Sequence, residues 1–299
     1  MKQNDRMIGS LSALGCELLF GLSYLFTKKV TQTAGVFALL GWRFFIAAVL
    51  MSLGIGVGLI RINLKGKPIK PLLLVAFFSP FLYFVGETMG IRDTTASESG
   101  VFLACIPVAS LVASALLLKK KPSNWQIAGV LVTLLGVLIT VFAVGAASSR
   151  SFAGYAFLLM AVMSYAQYSV FVEKAADYTG TEITYIMLVV GAVVFGGLAI
   201  CEAMATGTIG QLAMLPLNDS AFAAAVLYQG IGCSIAAFFL SNVAISRIGV
   251  NRTSSFIGVA TVVSVIAGAI LLKETFTVYQ GIGATVILIG VYTANVTRT

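Results

Sequence analysis

Long apolar runs separated by short polar segments dominate the chain. Ten of these runs are long enough to cross about 30 Å of hydrocarbon as a helix. They are continuously apolar and do not alternate, which favours helices over the strands of a barrel. The pattern therefore predicts an all-α membrane protein with ten transmembrane helices and short loops. The predicted spans are 7–27, 36–60, 72–91, 97–118, 125–144, 152–172, 183–203, 221–245, 253–272 and 278–296.

The composition agrees with a protein whose main solvent is the bilayer. Hydrophobic residues make up 59% of the sequence, charged residues make up 10%, and the mean hydropathy is +1.00. Soluble domains carry about 25% charged residues. A water-soluble fold of 299 residues could not bury this much apolar surface. Lys2 and Arg6 precede the first run, which we interpret as an uncleaved first transmembrane helix.

The basic residues lie mainly between the apolar runs, where they indicate topology. With the N-terminus inside, thirteen fall in inner segments and five in outer segments, so both termini are predicted to be cytoplasmic. The inner set is Lys2, Arg6, Arg61, Lys65, Lys67, Lys70, Lys119, Lys120, Lys121, Lys174, Arg247, Arg252 and Arg298, and the outer set is Lys28, Lys29, Arg92, Arg150 and Lys273. The net charge of +8 forms no continuous basic stripe, so no nucleic-acid partner is expected.

The sequence contains an internal repeat. Segment 108–137 matches 262–291 at a constant offset of 154 residues, including the pair Gln126 and Gln280. A weaker match joins 19–29 to 164–174. Each repeat holds five predicted helices, and because five is odd, the second copy enters the membrane from the opposite side. We therefore divide the chain into two inverted repeats, 1–147 and 148–299, an arrangement that carriers use around a central site.

Paired glycines recur in the fifth and tenth predicted helices. Gly129 and Gly136 are seven residues apart, and Gly283 and Gly290 repeat this spacing. Seven residues are two helical turns, so each pair lies on one helix face. Small residues let helix backbones approach closely. We expect these two helices to pack tightly against their neighbours, including against each other. We assign the glycines a structural role.

Several segments resemble the EamA-type members of the drug/metabolite transporter superfamily. These are Phe20-Gly21-Leu22-Ser23-Tyr24, Trp42-Arg43-Phe44 and the end of each repeat, where leucines precede a Trp or Tyr, a Gln and two spaced glycines. The resemblance covers nearly the whole chain. It implies a ten-helix carrier in a bacterial-type inner membrane, present as a monomer or weak oligomer. Such carriers include the YddG-like exporters of aromatic amino acids and transporters of many other metabolites.

Sequence motifs exclude several other chemistries. There is no GxxxxGK[ST] loop, so transport driven by ATP is not expected. The chain has no histidine and no acidic cluster, which argues against a metal site, a cofactor and an enzyme. The four cysteines form no CxxC pair and are interpreted as buried thiols.

Charged residues inside predicted spans are the first candidates for function, because burying charge in a bilayer is unfavourable. Glu17 lies near the middle of the first span, where it is either a proton or amine site or a carboxyl held within the bundle. Arg43 could bind a substrate carboxylate. We favour instead an ion pair between Arg43 and Glu87, which would have a structural or gating role. Glu87 is then a weaker candidate for substrate contact.

Aromatic and amide side chains complete the candidate cavity. Phe20, Tyr83, Tyr165, Tyr168 and Gln229 lie within spans and would suit an amphipathic organic molecule, although tyrosines also anchor helices at lipid interfaces. The leading hypothesis is a secondary exporter of amino acids or similar metabolites, working by alternating access. A proton-coupled multidrug exporter using Glu17 is the alternative. A membrane receptor or scaffold that does not transport is the third, and the repeat argues against it.

The topology can be tested with reporter fusions. Fusions at Thr299 and within the 61–71 loop should both read as cytoplasmic, because the basic residues concentrate in inner segments. Activity of a periplasm-specific reporter at either position would contradict the inverted ten-span arrangement.

Overall fold

The computed structural model describes residues 3–31, 34–94, 99, 102–142, 151–271 and 277–295. Within these ranges the chain is helical and contains no strand. The helices of the first half are α1 (Gln3–Val30), α2 (Val36–Gly56), α3 (Lys70–Asp93), α4 (Ile106–Leu117) and α5 (Asn124–Phe142). Those of the second half are α6 (Phe152–Lys174), α7 (Gly180–Ala205), α8 (Ile209–Asn218), α9 (Ser220–Ile248), α10 (Val250–Ser255), α11 (Ile257–Leu271) and α12 (Val278–Asn295).

Helices α2, α3, α6, α7 and α9 are long and apolar enough to cross a membrane. They are the five such helices in the described part of the chain, and they coincide with the second, third, sixth, seventh and eighth predicted spans. The other five predicted spans fall on α1, α4, α5, α11 and α12. Part of the fourth predicted span lies outside the described residues. The prediction of an all-helical protein is confirmed.

Three details differ from the prediction. Helix α2 ends at Gly56 and a turn follows, so the second span is shorter than the predicted 36–60. The ninth predicted span is divided by a turn at Phe256 between α10 and α11. Helix α8 lies in a connection predicted to be a loop. It has no buried residue, and Pro216 and Asn218 interrupt its apolar run, so the hydropathy pattern gives little sign of it.

Local capping explains where several helices begin and end. Thr179 Oγ1 accepts a hydrogen bond from Glu182 N (3.2 Å), and Glu182 Oε2 accepts one from Thr179 N (2.9 Å), which starts α7. Asp219 accepts from Ala221 N at 2.8 Å and starts α9. Helix α9 ends at Gly249, whose φ of +80° suits a residue without a side chain.

Helices α3 and α9 are both interrupted near their centres. The regular hydrogen-bond pattern widens over Phe77–Leu82 and over Tyr228–Ala237. In α3 the interruption is a kink, because Ser79 has φ −144° and ψ 121° and is followed by Pro80. Adding the repeat offset of 154 to 77–82 gives 231–236, which lies within the second interruption. The two irregular segments thus occupy equivalent positions in the sequence repeat.

The packing of helices is symmetric when the two halves are exchanged. Helix α1 packs on α9 and α11, and the corresponding helix α6 packs on α3 and α4. Helix α2 packs on α7, and α5 packs on α12, which are pairs of corresponding helices. Each of these helix contacts therefore has a counterpart in which the first and second halves are exchanged.

Glycines bring the backbones of α5 and α12 into direct contact. A Cβ atom added at Gly129 would lie 2.6 Å from the carbonyl oxygen of Gly290. One added at Gly136 would lie 2.8 Å from the carbonyl oxygen of Gly283. Both distances are shorter than a van der Waals contact, so any side chain at these positions would force the helices apart. The four glycines proposed from their spacing thus meet at one interface.

Charged side chains gather at one end of the helical bundle. This end, which we call the basic end, joins the beginning of α1 to the ends of α6, α9 and α12 and to the loops after α2 and α4. Ion pairs there join Arg247 to Asp5, Lys120 to Glu173, and Lys67 to Glu182 at 3.0 Å, and Arg6 Nη2 donates to the carbonyl oxygen of Asn295 at 2.5 Å. At the opposite end, Trp42 Nε1 donates to the carbonyl oxygen of Leu212 at 2.9 Å.

Substitution of Gly136 tests the α5–α12 interface. Gly136→Ala should destabilise the protein by roughly 1–3 kcal/mol, because the added methyl group meets backbone atoms that cannot move independently. The measurement is thermal unfolding of purified protein in detergent. Gly197→Ala in α7 is the matched control, since a Cβ there has no atom within 4 Å and alanine favours a helix. Equal melting temperatures for the two variants would contradict the described contact.

Candidate substrate-binding site

Arg43 lies in the first half of α2 and is held by side chains from the interrupted part of α9. It is 4% exposed, and its Nε donates to Ser234 Oγ at 2.7 Å. Its Nη1 donates to Gln229 Oε1 at 3.3 Å. Gln229 is itself fixed, because its Nε2 donates to Thr27 Oγ1 at 2.9 Å. We call Thr27, Arg43, Gln229 and Ser234 the Arg43 cluster; it connects α1, α2 and α9.

The favoured ion pair between Arg43 and Glu87 is not formed. In the described part of the chain neither residue takes part in a salt bridge. Glu87 Oε1 instead accepts a hydrogen bond from Tyr83 Oη at 2.7 Å, one turn earlier in α3. The two side chains still lie in one region, because the ring of Phe84 is 4.5 Å from the guanidinium carbon of Arg43 and 5.0 Å from the ring of Tyr83. The prediction was wrong in its geometry because α9 supplies the polar partners of Arg43, and these partners come from the other half of the chain.

Glu17 lies inside the bundle, on α1. It is 5% exposed, and among the described residues no salt bridge includes it. The adjacent Cys16 is buried as well, with 1% of its surface exposed. An unpaired acidic group in this position is consistent with either interpretation made from the sequence.

Tyr168 belongs to a second group of buried polar residues, the Tyr168 cluster. Tyr168 Oη donates to Asn242 Oδ1 at 2.7 Å and lies 3.3 Å from Ser241 Oγ. Asn242 Nδ2 donates to Thr184 Oγ1 at 3.0 Å. Tyr168 is 2% exposed and Asn242 is fully buried. This cluster joins α6, α7 and α9, which are all helices of the second half.

Aromatic rings connect the two clusters. The ring of Phe84 lies 4.5 Å from the guanidinium carbon of Arg43, and its centroid is 5.0 Å from that of Tyr83. Tyr83 contacts Tyr165 at 5.7 Å, and Tyr165 contacts Tyr168 at 5.5 Å, both edge to face. Phe20 reaches this set through Phe238, which lies 6.2 Å from Phe20 and 6.0 Å from Phe84 between ring centroids.

Most of the predicted cavity residues are therefore brought together. Contacts among a few neighbours connect Phe20, Tyr83, Glu87, Tyr165, Tyr168 and Gln229, with Arg43 at one side. Glu17 is also buried in the bundle, but no described hydrogen bond or salt bridge joins it to this set. Sequence reasoning missed Thr27, Ser234 and Asn242. Asn242 could have been found, since an amide inside an apolar helix requires a partner. Ser234 and Thr27 gave no signal, because small hydroxyl residues are common in such helices.

No arrangement suited to a metal ion is found in the described residues. No three Cys, Asp or Glu side chains lie together there, and the sequence has no histidine. The chemistry of the site is that of hydrogen bonding, aromatic contact and two opposite charges, which suits recognition of a small organic molecule.

Comparison with known proteins identifies the family. The model of the EamA-like transporter family matches this chain twice, over residues 7–142 and 152–296. The chain belongs to the EamA-like transporter family. It is a multi-pass membrane transporter of the drug/metabolite transporter superfamily, which confirms the resemblance drawn from the sequence.

Alignments with related proteins cover nearly the whole chain. The uncharacterized transporter YcxC of Bacillus subtilis (strain 168) is 33% identical over 298 residues, covering 99% of this chain and 95% of that protein. The uncharacterized transporter YetK of the same organism is 24% identical, with 96% and 87% coverage. One solved crystal structure aligns with a TM-score of 0.77 and 19% identity over 97% of both chains, which shows a shared fold.

Proposed function

We propose that this EamA-like transporter is a secondary carrier that exports small organic metabolites, amino acids with neutral or aromatic side chains first among them. It would work by alternating access around the residues that join the Arg43 and Tyr168 clusters. The bacterial-type inner membrane is the proposed location.

The observation that carries this proposal is the set of polar side chains buried between apolar helices. Arg43, Gln229 and Glu17 are buried and Glu87 is partly buried, among helices whose outer faces are apolar. Polar groups in the interior of a membrane protein usually mark the path of a substrate or ion. Aromatic rings beside them offer flat apolar surfaces, so the surroundings match an amphipathic solute.

Alternating access is supported by the relation between the two halves. The family model matches once in each half, helix contacts recur with the halves exchanged, and the interrupted helices α3 and α9 correspond. Inverted repeats let a carrier exchange two conformations by rocking one part against the other.

The distribution of charge supports cytoplasmic termini and ten membrane spans. The loops predicted to be inner come together at the basic end, which holds Arg6, Lys67, Lys120 and Arg247. An excess of basic residues marks the cytoplasmic side. On this basis we place the basic end in the cytoplasm.

Transport can be measured directly in liposomes. Purified protein should increase the flux of phenylalanine, threonine or methionine across the bilayer, and cells that overproduce it should tolerate toxic amino-acid analogues better. Protein-free liposomes and liposomes with an unrelated membrane protein are the controls. Absence of flux for every amino acid, combined with transport of organic cations, would replace the proposal with the multidrug alternative. Absence of all flux would favour a scaffold.

A second candidate function, proton-coupled export of organic cations, is favoured by one observation. Glu17 is 5% exposed and forms no salt bridge among the described residues. A carboxyl in such a place could bind a proton and a cation in turn.

Substitution of Glu17 separates coupling from structure. If Glu17 carries the coupling proton, Glu17→Gln should abolish accumulation driven by a pH gradient and leave the protein folded, because the amide cannot exchange a proton. The measurement is uptake into liposomes at several pH gradients. Glu202→Gln, at an exposed position in α7, is the control and should respond as the wild type does. A normal pH response of the Glu17 variant would assign Glu17 a structural role.

A further inference from the structure

Arg43 is only partly satisfied by the protein. Its Nε and Nη1 donate to Ser234 and Gln229, which are neutral acceptors, whereas Nη2 is buried and has no hydrogen-bond partner among the described residues. The fixed partners orient the planar guanidinium, so Nη2 has a defined direction. The rings of Phe84 and Phe44, at 4.5 and 5.3 Å from the guanidinium carbon, occupy its surroundings without providing an acceptor.

This arrangement is unfavourable unless an anionic group completes it. A buried guanidinium needs charge compensation and hydrogen bonds in all directions. Within the described residues, no carboxylate lies close enough to form a salt bridge with Arg43. A ligand carboxylate could accept from Nη2 and neutralise the charge, with the bond strengthened by the surrounding apolar medium.

Glu87 provides the opposite charge nearby. One carboxylate oxygen accepts from Tyr83 Oη at 2.7 Å, and no salt bridge uses Glu87 within the described structure. The ring of Tyr83 lies 5.0 Å from that of Phe84, which in turn lies 4.5 Å from the guanidinium carbon of Arg43, so the two charged side chains share one region. The region thus carries one positive and one negative pole held apart by their own hydrogen bonds.

We propose that Arg43 and Glu87 form a two-pole binding site for a zwitterion, in which Arg43 Nη2 binds a carboxylate and Glu87 binds an ammonium group. This inference rests on the proposed transport of amino acids and assigns the residues that recognise them. An organic cation would bring its charge towards Arg43, and an anion would bring its charge towards Glu87. A molecule with both charges is attracted by both poles, and Tyr83, Tyr165 and Phe84 lie beside them to contact its side chain.

The position of the two poles also relates binding to conformational change. Arg43 is held by the interrupted segment of α9, and Glu87 follows the kink of α3. A zwitterion bound to both would connect the two irregular segments, one from each repeat. Its binding would therefore favour conformations in which these segments stay close.

Three related probes test the site on the full-length protein in nanodiscs. L-Phenylalanine has both charges, N-acetyl-L-phenylalanine lacks the ammonium group, and phenethylamine lacks the carboxylate. By calorimetry, the wild type should bind phenylalanine at least about tenfold more tightly than either analogue, since each loses a charge-assisted hydrogen bond. This comparison uses only the wild-type protein, so it does not depend on whether a variant folds. Equal affinities for the three probes would overturn the proposal.

Variants of each pole should change the preference in opposite directions. Glu87→Gln should lose affinity for phenylalanine and gain it for N-acetylphenylalanine, because the remaining pole is cationic. Arg43→Gln should lose affinity for phenylalanine and retain or gain it for phenethylamine, and Arg43→Lys should keep part of the affinity. Arg61→Gln and Glu202→Gln, at exposed positions, serve as controls and should bind as the wild type does.

The outcomes distinguish this assignment from the proposed function. Amino-acid flux in liposomes without discrimination among the probes, or folded pole variants with unchanged preferences, would overturn the two-pole site and leave amino-acid export standing. Absence of amino-acid flux and of phenylalanine binding would overturn both. Reciprocal changes in probe preference would establish the site, because loss of stability alone lowers affinity for all probes alike.

Discussion

Polar groups inside a bilayer must find their partners within the protein, because the hydrocarbon offers none. The backbone meets this requirement by forming helices, and the described part of this chain contains helices joined by short loops and no strand. Side chains meet it only through contacts between helices. Tyr168, Asn242 and Thr184 satisfy one another across three helices, whereas Arg43 is left with one buried nitrogen unpaired. The contrast between these two clusters separates polar residues that hold the bundle together from Arg43, which we propose binds a ligand.

The position of Arg43 depends on an irregularity in α9. Gln229 and Ser234 lie within the widened segment Tyr228–Ala237, and both direct an oxygen towards the guanidinium. Such widened turns shift the side chains that follow them around the helix axis. The kink at Ser79 and Pro80 precedes Tyr83 and Glu87 in the same way. Irregular backbone in a membrane protein is tolerated where other parts of the protein surround it. Here the irregular segments of α3 and α9 lie beside the candidate site.

Glycines bring helix backbones together at more than one place in the bundle. Helices α5 and α12 touch backbone to backbone through Gly129, Gly136, Gly283 and Gly290, where no side chain can intervene. Helices α3 and α6 also approach closely beside the candidate site, since a Cβ added at Gly86 would lie 2.6 Å from the carbonyl oxygen of Phe157. Small residues thus allow close helix packing both at the α5–α12 interface and beside the candidate site.

Hydropathy, charge and the internal repeat were enough to predict the helical fold, the corresponding helices of the two halves and the charged candidate residues. Apolar runs specify helices because a bilayer permits little else, and the repeated Gln126 and Gln280 with their paired glycines indicated the corresponding fifth and tenth helices. Burial in hydrocarbon also singled out Glu17, Arg43 and Glu87, since charge is rare there. The tertiary structure alone decided their partners. Arg43 contacts Ser234 and Gln229, which are more than 180 residues away in sequence, and Glu87 contacts Tyr83 instead of Arg43. Sequence patterns report which groups need a partner, but the choice among partners depends on how the helices cross and where they are interrupted, and neither follows from hydropathy.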